Sequence, residues 1–488
     1  MASISPKGDL SARAVRAAAA AFASQGVSFG FNFLVAVALA RLLSPEDFGV
    51  FAIAFAVTGF LEFAKDGGMV VPVIQTETLT SDHLNTLFWF NAGVGAAVTL
   101  VACLAAPFVG WFYADPRLVP VTWALAFVFL FGGLSTQHVA LLRRQLRFTR
   151  LAICEAAALG IASCVAVITA WQGAKYWSLV YFSLTREALR SALLIPATAW
   201  IPAWPVRWAA IGPLVRFGGL MMVFDVIGYL NFKLDNLIVA WFAGPAALGF
   251  YAKGYQFLLL PVNQINAPLA TVVHATLSRL QGEPDRYRSY LTRALLLATS
   301  LGMPLTAFLY GNAHTIIGQL LGRQWLPSAP IFQALAPAAF LMTVTTSVGW
   351  IFLSLGRGRR QLPWSIFTTA ITVSAFFVGV RWGAVGVALA FTMSRVVLFV
   401  PTLAYTCHRS QVAWTSLLRT SARPAFASLI ALIVGTKIDA MVPTGLWSLP
   451  LNLAVFGSVY VLCWVALPGG WYLMRENLLF GRSLYRNA

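Results

Sequence analysis

The chain of 488 residues is 59% hydrophobic and only 10% charged, with a mean hydropathy of +0.76. Soluble domains are roughly 45–50% apolar and about 25% charged, so a water-soluble globule and a disordered chain are both excluded, and an all-α polytopic membrane protein is expected. The 34 Lys+Arg against 16 Asp+Glu give +18; in a membrane protein that excess belongs to inner-side loops, and no nucleic acid partner is expected.

At about 20 residues per span, hydropathy with turn and charge punctuation predicts about fourteen transmembrane helices. In chain order the windows are 15–39, 48–64, 84–110, 118–142, 151–171, 176–200 and 211–242, then 248–277, 290–310, 329–355, 362–380, 384–407, 422–442 and 446–473. Lys7, Arg13 and Arg16 introduce the first. It is longer than a signal-peptide core and has no convincing cleavage site, so it is read as an uncleaved span.

Numbering the connections alternately puts 22 Lys and Arg on one side, including the runs Arg143, Arg144, Arg147, Arg150 and Arg357, Arg359, Arg360, against 6 on the other. The positive-inside rule then sets both termini in the cytoplasm of a bacterial inner-membrane protein. Trp111, Trp171, Trp177, Trp241, Trp325, Trp382 and Trp447 fall near predicted outer ends, and Trp204, Trp208, Trp364, Trp414 and Trp471 near inner ones, as two aromatic belts would. The five cysteines have no metal-ligand or disulfide spacing and read as packing residues.

An internal repeat is visible at an offset of about 200. Asn32, Phe33, Pro45, Gly49, Phe51 and Ala52 correspond to Asn231, Phe232, Pro245, Gly249, Tyr251 and Ala252, and Phe182 to Arg186 corresponds to Phe391 to Arg395. The expected organisation is a six-helix bundle over 1–210, a second over 211–410, and two additional helices with a cytoplasmic tail over 411–488. Six spans per copy require parallel repeats, and transporters of that plan bind cargo between the halves near the midplane.

Charges within spans cost about 2.5–3.5 kcal/mol on insertion scales and mark pathways. Arg186 and Arg395 lie roughly 15 Å into their helices, with Arg190 one turn from Arg186; Glu187 is expected to point elsewhere. Asp225, Tyr229, Lys233 and Asn236 share one helical face. Gln25 and Asn32, with the repeat counterpart Asn231, and Lys253 add polar contacts, while Glu62 and Asp66 lie in the second span. The substrate-binding set is therefore Arg186, Arg190, Arg395, Lys233, Lys253, Tyr229, Asn32, Gln25, Asn231 and Asn236, and the ion-coupling set is Asp225, Glu62 and Asp66. Guanidinium forks suit phosphate oxygens, and amides and hydroxyls suit sugars, so the cargo is expected to be anionic and polyhydroxylated.

No phosphate-binding GxxxxGK[ST] loop or HExxH helix is present, the GxSxG string at Gly26-Val-Ser-Phe-Gly30 falls inside the first predicted span and not at a strand-to-helix elbow, and the connections leave no room for a catalytic domain. Transport without cofactor or metal is expected, and not enzymatic chemistry.

Leu42-Leu-Ser-Pro-Glu-Asp-Phe-Gly-Val-Phe-Ala52, Leu141-Leu-Arg-Arg-Gln-Leu-Arg-Phe148, Leu234-Asp-Asn-Leu-Ile238, Leu277-Ser-Arg-Leu-Gln281 and Gly322-Arg-Gln-Trp325 resemble, in order and spacing, the bacterial polysaccharide-synthesis or oligosaccharide-flippase family of the multidrug/oligosaccharidyl-lipid/polysaccharide exporter superfamily. Asp66-Gly-Gly-Met stands where such sequences usually have Asp-Leu-Gly-Leu. The resemblance implies a flippase carrying undecaprenyl-diphosphate-linked oligosaccharide units across the inner membrane by alternating access, for exopolysaccharide, O-antigen or capsule. Its implied partners are membrane lipid and the glycosyltransferases and polymerase of the same pathway. The alternatives are a cation-coupled drug or metabolite exporter of the same superfamily and a membrane glycan polymerase or ligase.

Overall fold

The computed structural model describes residues 30–65, 80–145, 147–204, 212–261, 265–439, 448–468 and 470–487. In the first part of the chain the helices are α1 (Gly30–Leu42), α2 (Pro45–Lys65), α3 (Ser81–Phe112), α4 (Leu118–Arg144), α5 (Phe148–Trp171) and α6 (Trp177–Thr198). Gly212–Pro261 is one helical stretch broken at Gly244 into two arms, α7 and α8. Then follow α9 (Ala267–Arg279), α10 (Pro284–Gly311), α11 (Ala313–Leu320), α12 (Ser328–Ser354), α13 (Gly358–Gly379), α14 (Gly383–Cys407), α15 (Trp414–Asp439), α16 (Ser448–Ala466) and α17 (Gly470–Asn487). Among the described residues there is no strand.

Every predicted window coincides with a described helix over at least part of its length. Nine stretches among the described residues have the length and apolar composition to cross a membrane. Two of these nine, Lys233–Leu260 and Arg360–Cys407, each contain a break, at Gly244 and at Val380–Trp382. The window 248–277 is described in two pieces, α8 as far as Pro261 and α9 from Ala267, with residues 262–264 outside the described residues. The window 446–473 divides: α16 stops at Ala466, and Pro468 stands before an amphipathic helix, α17, that begins at Gly470. The short α11 was not predicted; eight residues are too few to stand out in a hydropathy window.

The chain forms two compact units, Met1–Gly249 and Phe250–Ala488. In the first, Leu39, Leu43, Ala166, Ala170 and Leu179 join α1, α5 and α6. Val98, Ala102, Ala126 and Phe129 join α3 to α4, where a Cβ on Gly95 would stand 2.7 Å from the Phe129 carbonyl oxygen. Such close approach of backbones is how membrane helices gain packing energy without a hydrophobic drive between them. In the second, Tyr287, Leu291, Leu295, Trp350, Ile351, Leu403 and Leu417 tie α10, α12, α14 and α15 together.

Trp111, Trp171 and Trp382 stand 75%, 79% and 70% exposed at helix ends, as belt residues should. Trp325 departs from that expectation: it is fully buried against Phe250 and Lys253.

Candidate functional site

In the unit Met1–Gly249, α6 carries the candidate arginines. Arg186 is the tenth residue of the helix, about 14 Å from its start; it is exposed and makes no hydrogen bond or ion pair among the described residues. Arg190, one turn on, is half-buried between two carboxylates: Nη2 lies 3.4 Å from Glu155 Oε1 on α5, and Nη1 lies 3.4 Å from Glu187 Oε2. Glu187 therefore points at Arg190, contrary to the expectation that it faces elsewhere, because three residues along a helix is close enough for the two long side chains to meet. These charges keep Trp177–Thr198 out of the nine strongly apolar stretches.

Lys233 and Asn236, from the predicted stripe on α7, are both described. Lys233 lines a cavity of about 400 Å³ between α2, α3 and α7, whose other walls are apolar: Ala56, Val57, Phe108, Phe112, Leu234 and Leu237. One ammonium in an apolar cleft suits an amphiphile with an anionic group. Tyr113, at the same cavity just past the end of α3, is pushed up to about 12 by burial and so stays a neutral phenol. Asn236 is buried, and its backbone N–H donates to Asp235 Oδ1 at 2.8 Å. Asp235 is a buried carboxylate that face-matching missed, since it lies off the Asp225–Lys233 stripe. Its signal in the sequence is the Leu234-Asp-Asn-Leu-Ile238 stretch. Asn32 is exposed on α1.

In the unit Phe250–Ala488, Arg395 is the thirteenth residue of α14 and half-buried, its guanidinium 4.9 Å from the Phe391 ring centre. Lys253 on α8 is buried, its ammonium 5.6 Å from the Trp325 ring centre, an arrangement in which the aromatic face replaces part of the lost hydration. Gln25 and Asp66 lie outside the described residues, as do the side chains of Glu62, Asp225, Tyr229 and Asn231. Among the described residues no group of His, Cys, Asp or Glu has the arrangement of a metal site.

The most recognisable stretch, Leu42 to Ala52, is architectural. Ser44 Oγ accepts from the Asp47 N–H at 3.2 Å while Asp47 Oδ2 accepts from the Ser44 N–H at 3.0 Å, a capping box at the start of α2. Asp47 Oδ1 also accepts from the Tyr176 N–H at 3.1 Å. Glu46 meets Arg117 Nη1 at 2.8 Å, and Arg117 Nη2 meets Asp115 at 2.9 Å. The hydrogen bonds to Asp115 drive the Arg117 guanidinium further up from an already high value, burial opposes them, and Glu46 adds to them. One motif thus joins three helix ends.

The chain matches the family described as polysaccharide biosynthesis protein over residues 38–330. The lipopolysaccharide biosynthesis protein WzxC of Escherichia coli (strain K12) is 23% identical over 378 residues, covering 76% of each chain. The succinoglycan biosynthesis transport protein ExoT of Rhizobium meliloti (strain 1021) is 22% identical over 444 residues, covering 89% of each. Among solved structures, the lipid II flippase MurJ in an inward closed conformation superposes with a TM-score of 0.71 at 15% identity, covering 90% of this chain and 97% of that one, a likeness of fold. With more than half of its length matching one family, the chain belongs to the polysaccharide biosynthesis protein family.

Proposed function

We propose that the protein is a flippase for undecaprenyl-diphosphate-linked oligosaccharide repeat units, moving them across the bacterial inner membrane for a surface or secreted polysaccharide. Both termini then lie in the cytoplasm, and the cargo arrives from the glycosyltransferases that build it and leaves to a polymerase. Two six-helix repeats, 1–210 and 211–410, alternate access, and the helices of 411–488 are additions. No bond is made or broken, and no cofactor is needed.

The observation that carries this reading is Arg186, an exposed guanidinium near the middle of α6 that makes no ion pair among the described residues. A cation in that position gains most from an anionic cargo, and a planar fork matches phosphate oxygens. Arg395, its repeat counterpart, offers the second fork. Arg190 shares its charge with Glu155 and Glu187 and contributes less. Lys233 at its apolar cleft accommodates the junction between charged group and polyprenyl chain, and Lys253, Tyr229, Asn236, Asn32, Asn231 and Gln25 supply sugar contacts. Asp225, Glu62 and Asp66 are the acids through which an ion gradient enters the cycle.

Replacing Arg186 and Arg395 together by alanine is expected to abolish polymer export in cells while membrane insertion, measured by immunoblot of the membrane fraction, stays normal. Full export by that double variant overturns the assignment. Retained export with new drug sensitivity points to a drug exporter of the same superfamily.

A further inference from the structure

In the unit Phe250–Ala488 a second cavity, of about 430 Å³, lies between α10, α15 and α17. That is within the roughly 300–1,000 Å³ of small-molecule sites. Its polar wall holds three arginines, Arg293, Arg419 and Arg423, against one acid, Glu476. Glu476 is 3.8 Å from Arg293 and accepts a 2.9 Å hydrogen bond from the Tyr472 hydroxyl, so among the described lining residues two positive charges are left without an acid. Arg419 is exposed and makes no ion pair among the described residues. Arg423 donates from Nη2 to the Pro468 carbonyl at 2.5 Å, while its Nη1 is buried with no hydrogen-bond acceptor among the described residues.

The placement is that of the membrane surface. Arg293 immediately precedes the apolar part of α10, and Arg419 and Arg423, one turn apart, precede that of α15. Helix α17 turns Leu473, Asn477 and Phe480 into the cavity and leaves Trp471 and Tyr472 exposed, the pattern of a helix lying in the interface. By the charge asymmetry of the loops, this is the inner face. A cavity with a cationic wall, an apolar flank and an interfacial helix as its lid presents both of the chemistries that an anionic glycerophospholipid carries.

We infer that this cavity binds the phosphodiester of an anionic glycerophospholipid of the inner leaflet, with an acyl chain along Leu473 and Phe480. The phosphate bridges Arg293 and Arg419, and Arg423 adds its charge to the same wall. Basic pockets between membrane helices on the cytoplasmic side recognise phospholipid headgroups by these means. The site is separate from the arginines assigned to cargo, and the inference stands whether or not that assignment holds.

The test is native mass spectrometry of the full-length protein in detergent, titrated with phosphatidylglycerol, phosphatidylcholine or inorganic phosphate. One phosphatidylglycerol is expected to bind in preference to phosphatidylcholine, and millimolar inorganic phosphate is expected to leave it bound. The double variant Arg293→Gln, Arg419→Gln should weaken that lipid roughly thirtyfold, from two interfacial charges at about fivefold each. Glu476→Gln, which removes the opposing acid, should tighten it, and this variant decides the matter if the double variant does not fold. Equal binding of phosphatidylcholine, displacement by inorganic phosphate, or affinity unchanged in the folded variants overturns the inference.

Discussion

Arg186 and Arg190 are one helical turn apart, yet their surroundings give them different work. Arg190 is set between Glu155 and Glu187, so removing it leaves two carboxylates facing each other in a bundle where unpaired charge is costly. Arg190→Gln is expected to lower the melting temperature in detergent, and adding Glu187→Gln to restore part of the loss, with a coupling of about 0.5–3 kcal/mol. Arg186→Gln is expected to leave the melting temperature unchanged while reducing export. Equal thermal losses for the two single variants would remove the distinction. At this scale the sequence showed where the charges lie but not how they pair: Glu155 comes from α5, thirty-five residues from Arg190, and no spacing rule links them. Asp235 was overlooked for a related reason, since helical face-matching ranks residues by their own helix and takes no account of what packs against it.

Among the helices, the repeat becomes a physical contact. Within the unit Met1–Gly249, a Cβ on Gly49 in α2 would collide with the Pro245 carbonyl, and a Cβ on Gly249 in α8 with the Pro45 carbonyl. The matched positions of the repeat thus meet reciprocally, which explains why proline and glycine recur four residues apart in both copies. Gly244, just ahead of Pro245, has φ +80°, a conformation that is strained for residues with a side chain. Gly49→Ala is expected to destabilise by about 1–3 kcal/mol, the usual range for overpacking, read as a lower melting temperature; Gly93→Ala in α3, where a Cβ would meet nothing within 4 Å among the described residues, is the control and should change little. No difference between the two would mean the crossing is looser than the backbone geometry requires. The existence and order of the helices were legible because an apolar run near 20 residues has few other uses. Their ends were less so. The α15 helix starts at Trp414, eight residues ahead of its window, because a helix continues past the apolar stretch wherever capping and packing allow.

For the whole chain, composition alone sufficed to identify a polytopic membrane protein, and the alternation of charge gives an orientation that chemistry can check. In a background with all five cysteines replaced by serine, a cysteine at Gln172 should react with a membrane-impermeant maleimide in intact cells, whereas one at Gly282 should react only after permeabilisation. Both positions are exposed and lie beyond helix ends; the reverse pattern would invert the orientation and move the arginine-rich cavity to the outer leaflet. The architectural motif and the residues proposed to hold cargo were not distinguishable in advance. Ser44, Glu46 and Asp47 read as a family signature, and only the bonds to Tyr176 and Arg117 reveal a clamp. The crossing of Gly49 and Gly249 has a practical corollary for anyone building chimaeras. The obstacle each glycine faces is a main-chain oxygen, which no substitution elsewhere can trim, so a copy borrowed from a relative will seat correctly only if both of these turns arrive with glycine in place.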